Sequence, residues 1–345
     1  ARVGPCAAPP MRRLARSLDR LRGRRAGARA APASAAGAAS TTDLWADVTA
    51  AATAARAAGA LFKIDTAPRA LDDGGWRFVL RVATALKAKD EDGKKKKGGG
   101  GGAAPPRPFN PFLPPDPRLV VRALPPSHAL LLNKFNVADG HVLVVTRAFE
   151  AQEAALTEGD AAATWVALTA APGPGGGLAY FNRGPESGAS QPHKHVQVVP
   201  LPLMEGGGEG GEGGDARAPF EPSALAAVAG APPYQVEPVR SLPVRAFAAA
   251  MPADPEPRAL AGCLARLAAA CGVANAADTT TSYNLLLTPR VAMAVPRRAA
   301  RVGPLGVNAV AFAGSLLVRS EAELAYIEAR GPWDVLRDAG VPWEG

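Results

Sequence analysis

Two histidines spaced two residues apart, His193 and His195, followed at the same interval by Gln197, are the residues of this chain best equipped for chemistry. In extended backbone, residues i, i+2 and i+4 point to one face. The three side chains would then line one wall, with Val196 and Val198 turned into a core. Just upstream, Gly188, Ala189 and Ser190 make a small-residue loop whose backbone N–H groups can converge on an anion. Neutral imidazole, with an ordinary pKa of about 6.5, is a nucleophile near physiological pH. Beside an anion cradle it is equipped to attack phosphorus. The competing readings of His-x-His are a partly exposed strand and a pair of metal ligands. A metal site needs a third ligand in a defined geometry, Gln197 is a poor one, and Cys6, Cys263 and Cys271 are scattered with no Cys-x-x-Cys. Nucleotidyl transfer is favoured, with no tightly bound metal.

Elements to carry these residues are legible on both sides. Asp43 is placed to cap an Ala-rich helix running to about Ala58. Phe78–Val82 reads as a strand, and Leu130–Phe135 and His141–Thr146 flank the turn signal Asp139-Gly140. His141 is expected only to begin the second of those strands. A helix is expected over Glu150–Leu168, a strand over Leu178–Asn182 leading into the loop, and the strand His193–Pro200 after it. Further on, Leu260, Leu264, Leu267 and Cys271 fall on one helical stripe, which puts Cys271 in the core. Strands follow near Tyr283–Leu287, Val291–Val295, Val307–Phe312 and Ser315–Val318, and two short helices close the chain. Mixed strands with helices on one side imply an α+β architecture.

Composition narrows the class. An apolar content of 48% supports a core, and no apolar run reaches the ~18 residues of a membrane helix. The cysteines give no disulfide framework, which suits a reducing compartment. The formal charge of +8 lies entirely in residues 1–40, which hold nine arginines and one acidic residue, Asp19. The remainder is neutral, so no basic face for nucleic acid is written into it. That Arg-, Ala- and Ser-rich leader has the composition of a mitochondrial or chloroplast transit peptide or of a disordered basic extension, so the expected location is cytoplasmic or organellar. Residues 90–107, with lysine and glycine runs, and 205–215, made of Gly and Glu with Asp215, read as loop insertions. The expected organisation is therefore a leader over 1–40, an N-terminal half over 41–200 and a C-terminal half over 201–345.

The run from Tyr180 through Asn182, Gly188, Ser190 and His193 to Gln197 resembles the signature of the diadenosine tetraphosphate phosphorylases, ATP adenylyltransferases of the histidine-triad superfamily. Leu130–Phe135 with His141–Thr146 is similar to that family's first paired strands. Ser282–Thr288, Val295–Arg297 and Phe312–Leu317 are similar to its C-terminal half. The resemblance implies a histidine-triad-like fold of antiparallel sheets with packed helices and two similar halves. It makes His195 the nucleophile, His193 a residue that shapes the site, and Gln197 the replacement for the third histidine of the hydrolases. The implied reaction joins diadenosine tetraphosphate and phosphate to give ADP and ATP, reversibly, through AMP bonded to His195. It also implies substrate contacts at Lys89, Asn133, Lys134, Asn182, Gly188, Ala189, Ser190, Gln191, Asn308, Ser315 and Arg319, and a divalent cation, Mg2+, carried with the nucleotide. Where the family commonly has Trp this chain has Val291, and Arg319 replaces a usual lysine. A hexose-1-phosphate uridylyltransferase, a GDP-hexose phosphorylase and a non-catalytic nucleotide sensor are the other readings of His-x-His-x-Gln. The first lacks its cysteine metal site here, and the second leaves Ser282–Thr288 unexplained.

Overall fold

The computed structural model describes residues 41–84, 109–173, 175–203 and 217–344. The arginine-rich leader, Lys89 and the 90–107 and 205–215 segments lie outside the described residues. Helix α1 (Thr41–Ala57) starts two residues before the expected cap and puts Leu44, Val48, Ala52 and Ala55 on one buried stripe. A short β1 (Phe62–Lys63) precedes the hairpin of β2 (Thr66–Asp73) and β3 (Trp76–Ala83). Then come β4 (Val120–Leu124), β5 (His128–Leu132), β6 (Phe135–Asn136), β7 (Val142–Thr146), α2 (Glu158–Ala170), β8 (Gly177–Arg183) and β9 (His195–Pro200). The C-terminal part supplies α3 (Glu221–Ala227), β10 (Glu237–Pro238), β11 (Phe247–Ala250), α4 (Pro257–Ala270), β12 (Tyr283–Leu287) and β13 (Val291–Pro296). It ends with β14 (Arg301–Val302), β15 (Leu305–Gly306), α5 (Ala309–Phe312), β16 (Ser315–Val318), α6 (Glu321–Arg330) and α7 (Pro332–Ala339).

Nine strands make one antiparallel sheet in the order β10-β11-β13-β12-β8-β9-β7-β5-β4. Early and late parts of the chain join at β8 and β12, where Asn182 lies opposite Asn284. Alternation gives the sheet two unlike faces. On one, Val144, Phe181, Val196, Val198 and Leu285 pack with α1, α2 and α4. On the other, Tyr180, Leu286, Met293 and Val295 share a core with β3, β16, α3, α5 and α7. Toward β4 this second face is closed by Phe112 over Leu131, Leu143 and Val145. By strand order, the start of β9 lies between these two coverings.

The α+β class is as expected, but helices cover both faces, not one. The layer on the second face is tied in by aromatic rings: Trp76 and Phe78 of β3 meet Trp333 of α7 with centroids 4.6 and 5.6 Å apart. Each such pair contributes about 1 kcal/mol beyond its buried area. Two expected elements change. Val307–Phe312 is not a strand, because Asn308 is extended and a helical turn follows over Ala309–Phe312, stopped by Gly314 at φ +98°. The Asp139-Gly140 turn is not a tight hairpin: Leu132 pairs with Val142, and the wide connection carries β6, which pairs with β1.

Candidate active site

The site forms where three strands part. β8 pairs with β9 as far as Tyr180 opposite Gln197, and β7 pairs with β9 as far as Val145 opposite His195. Beyond that the buried side chain of Gln152 stands in for the ladder. Its Nε2 donates to the carbonyls of Asn182 (2.8 Å) and His195 (3.3 Å), and its Oε1 accepts the His195 N–H at 2.9 Å. The expected helix over Glu150–Leu168 therefore starts late, at Glu158, where Thr157 and Asp160 form a capping box. Likewise β9 starts at His195, and His193 is held by a lone bridge to Ala151.

The loop leaving β8 bends at two glycines. Gly184 has φ +84°, and a Cβ there would lie 2.5 Å from Ser282 Oγ; Gly188 has φ +80°, and a Cβ there would lie 2.5 Å from the Val307 carbonyl. Glycine is required at both. Gly188, Ala189, Ser190 and Gln191 then run along the surface, partly or fully exposed. Of their amides, that of Ala189 donates to Ser187 Oγ at 3.3 Å. The underside of the loop rests on Arg297, 5% exposed, which donates to the carbonyls of Ser187, Ala299, Val307 and Ala339 and to Asn284 Oδ1. Burial pushes this guanidinium down to about 9, partly offset by Glu186. Asn284 Nδ2 in turn donates to the Ser187 carbonyl and to Asn182 Oδ1.

His195 is 4% exposed, and its Nδ1–H donates to the His193 carbonyl at 2.9 Å. That fixes the tautomer with the lone pair on Nε2, which has no protein partner among the described residues. Burial, with His193 nearby, pushes its pKa down to about 4, so the ring is neutral at physiological pH. His193 is engaged at both nitrogens: Nδ1 accepts from Asn110 Nδ2 at 3.0 Å and Nε2 donates to the Thr146 carbonyl at 2.9 Å. Burial lowers its pKa too. Phe112 lies 5.2 Å from His195 and 5.8 Å from His193, roofing both rings. Gln197 Oε1 accepts from His141 Nε2 and from Tyr180 O–H, each at 3.0 Å.

Lys194, between the two histidines, serves the other side. It is 1% exposed and reaches Asp160 at 2.8 Å and Glu150 at 2.5 Å, while His128 Nε2 meets the same Asp160 at 2.8 Å. These donors hold the Asp160 carboxyl down to about 2 against the opposing effect of burial, the largest single influence on it. The strand start is thereby bolted to the first turn of α2.

Other expected contacts are distributed unevenly. Asn133 Nδ2 lies 3.2 Å from both ring nitrogens of His141 and so braces that histidine. Lys134 is exposed over the Phe62 and Phe135 rings, 5.8 and 5.6 Å from their centroids. Asn308 does not cap its own helix and packs against Gly188. Ser315 is buried at the start of β16, and Arg319 is exposed just beyond it. Among the described residues no hydrogen bond links Ser315 or Arg319 to the histidines. Residues of the site that sequence reading missed are Asn110, Phe112, Gln152, Tyr180, Asn284 and the role of His141. Asn284 carried a signal, a lone amide in the apolar run Tyr283–Leu287; Gln152 carried none.

An antiparallel α+β scaffold, a neutral imidazole with a free Nε2 and a glycine-bent loop beside it define a nucleotidyltransferase of the histidine-triad kind. Residues 34–209 match the family model for the Ap4A phosphorylase N-terminal domain, and 240–342 match that for the ATP adenylyltransferase C-terminal domain. Over 244 residues, 62% of this chain and 70% of the relative, the sequence is 30% identical to diadenosine 5',5'''-P1,P4-tetraphosphate phosphorylase 2 of Saccharomyces cerevisiae. The crystal structure of yeast Ap4A phosphorylase Apa2 in complex with AMP superposes with a TM-score of 0.69 at 25% identity, covering 87% of this chain and 97% of that one. The same yeast enzyme in complex with Ap4A is similar in fold, with a TM-score of 0.69 at 24% identity over 88% and 99% of the two chains. The chain belongs to the Ap4A phosphorylase family.

Proposed function

We propose that this protein cleaves diadenosine tetraphosphate by phosphorolysis, releasing ADP and ATP. The observation that carries the reading is the His195 tautomer, in which Nδ1–H is fixed on the His193 carbonyl and Nε2 is left as a neutral nucleophile. Nε2 attacks the α-phosphorus, the P–O bond to the triphosphate breaks, and ATP leaves with the electron pair. Phosphate then attacks the phosphorus of the His195–AMP adduct, displaces the imidazole and departs as ADP. Each step reverses, so ADP and ATP re-form the dinucleotide and phosphate. Phosphates are held by the Gly188–Gln191 loop, with the Arg297 charge beneath it stabilising the developing negative charge. The amide of Gln197 cannot shuttle a proton to activate water, which favours an anionic acceptor.

Among the described residues no three carboxylate, histidine or cysteine side chains converge as a metal site. In the same reading a Mg2+ ion that neutralises the polyphosphate travels with the nucleotide. Among the same residues no helix is long and apolar enough to cross a membrane.

The test is incubation with diadenosine tetraphosphate and labelled inorganic phosphate. Label in ADP is expected. AMP and ATP without labelled ADP would mean hydrolysis, and binding without turnover would mean a sensor; either overturns the reading.

A further inference from the structure

Tyr180 and Asn182 of β8 and His195 and Gln197 of β9 share one face of the sheet, by alternation and by the pairing of Tyr180 with Gln197. Two of the four are carboxamides, and both are held in the same way. Gln197 Oε1 accepts from His141 Nε2 and Tyr180 O–H. Asn182 Oδ1 accepts from Asn284 Nδ2 at 2.8 Å and from the Ala309 N–H at 2.9 Å. In each, the oxygen is saturated and the –NH2 has no partner among the described residues. An amide so held presents only donors.

For Gln197 the orientation is enforced by a relay. The Phe135 N–H donates to Asn133 Oδ1, which turns Asn133 Nδ2 toward His141. Asn133 Nδ2 lies 3.2 Å from both ring nitrogens, and Nε2 is the one that reaches Gln197 Oε1; with the proton on Nε2 the ring donates to that oxygen, and Nδ1, left bare, accepts from Asn133. Rotating the Gln197 amide would set its –NH2 against that N–H and forfeit the bond. His141 is 6% exposed, and burial pushes its pKa down to about 4, so it remains a neutral, single-proton donor.

We propose that His141, with Tyr180, is a positioning residue for adenylyl transfer: it locks the Gln197 carboxamide so that its –NH2 donates to a non-bridging oxygen of the phosphoryl group attacked by His195. This rests on the phosphoryl-transfer reading above and gives His141 a part beyond starting a strand. The chemistry recognised is an anionic phosphoryl oxygen whose charge grows in the transition state, where a fixed donor changes kcat more than KM.

A double-mutant cycle on the rate of ATP release tests it, using His141→Phe, Gln197→Ala and the pair. Gln197→Ala should lower kcat by about 10²–10³-fold, the cost of one lost donor to a developing oxyanion. His141→Phe should lower kcat by about 10–100-fold, with KM moved much less. In the Gln197→Ala background, His141→Phe should cost no more than about twofold, because the group it orients is gone. Equal losses in both backgrounds, or a KM effect alone, would overturn the proposal and make His141 a structural brace. If His141→Phe does not fold, Tyr180→Phe removes the other donor and must show the same dependence on Gln197. Labelled phosphate in the same reactions reports separately on phosphorolysis, so a failure of that reading is distinguishable from a failure of this one.

Discussion

The two sides of the strand start at 193–197 are built on opposite principles. On the side of α2, Lys194 is buried and matched to Asp160 and Glu150, with His128 completing the cluster. On the other, His195 and Gln197 are each held by one end and leave a nitrogen unmatched. Saturated pairs contribute to holding the fold; half-saturated side chains hold direction and keep a group available for a ligand. Substitutions on the two sides should therefore separate stability from turnover.

The largest effect is expected at His195. His195→Ala should lower phosphorolysis by about 10⁴-fold or more, the scale for loss of a nucleophile, while the melting temperature changes little. Near-normal activity would rule out a covalent route. His193→Ala should cost less, about 10–100-fold, because the His195 Nδ1–H bonds to the backbone carbonyl at 193, which alanine retains. On the opposite side, Lys194→Met should destabilise by about 3–5 kcal/mol, since it takes the ammonium away from the buried Asp160 carboxylate. Denaturant titration measures this; lost turnover with unchanged stability would erase the contrast between the sides.

The sides also separate by pH. His141 and His195 are pushed from about 6.5 to about 4 in the fold. Between those values the unfolded chain binds more protons, so their contribution is full above pH 6.5 and is lost as pH falls toward 4. Each accounts for about 3 kcal/mol across that window. Asp160, held down to about 2, loses its contribution only below the ordinary carboxylate range. Urea midpoints at pH 7, 4 and 2 should show two separate declines, and His195→Ala should blunt only the first. The smallest effect is expected from deleting residues 1–40. It removes the formal charge of +8 and should shorten retention on a polyanion column, with kcat and melting temperature unchanged.

What could be read in the sequence was what is local in it. His193, His195, Gln197 and the Gly188–Gln191 loop lie within one short run, and alternation is enough to place them on one wall. His141 and Gln197 are 56 positions apart, and Asn182 and Asn284 are 102 apart. No spacing rule reaches across such separations, so the partners that orient the amides were invisible. Asn110 follows an insertion of lysines and glycines, which concealed that the chain returns there to roof the histidines. The strand expected over Val307–Phe312 failed for a related reason: the apolar run was correct, but the Ala309 N–H is held by Asn182, a residue 127 positions earlier that a local window does not contain.

Arg297 carries a further consequence. Its five donors are consumed by carbonyls and an amide drawn from Ser187, Asn284, Ala299, Val307 and Ala339, so the floor beneath the anion loop is woven from both ends of the chain. The protein is thus divisible in sequence and indivisible in action. A fragment ending after β9 would own the nucleophile and the loop but no floor, and the complementary fragment would own the floor and nothing to support. Co-expressed as two separate polypeptides cut between β9 and α3, they should regain turnover only when joined edge to edge along β8 and β12, making the sheet itself a reporter of reassembly.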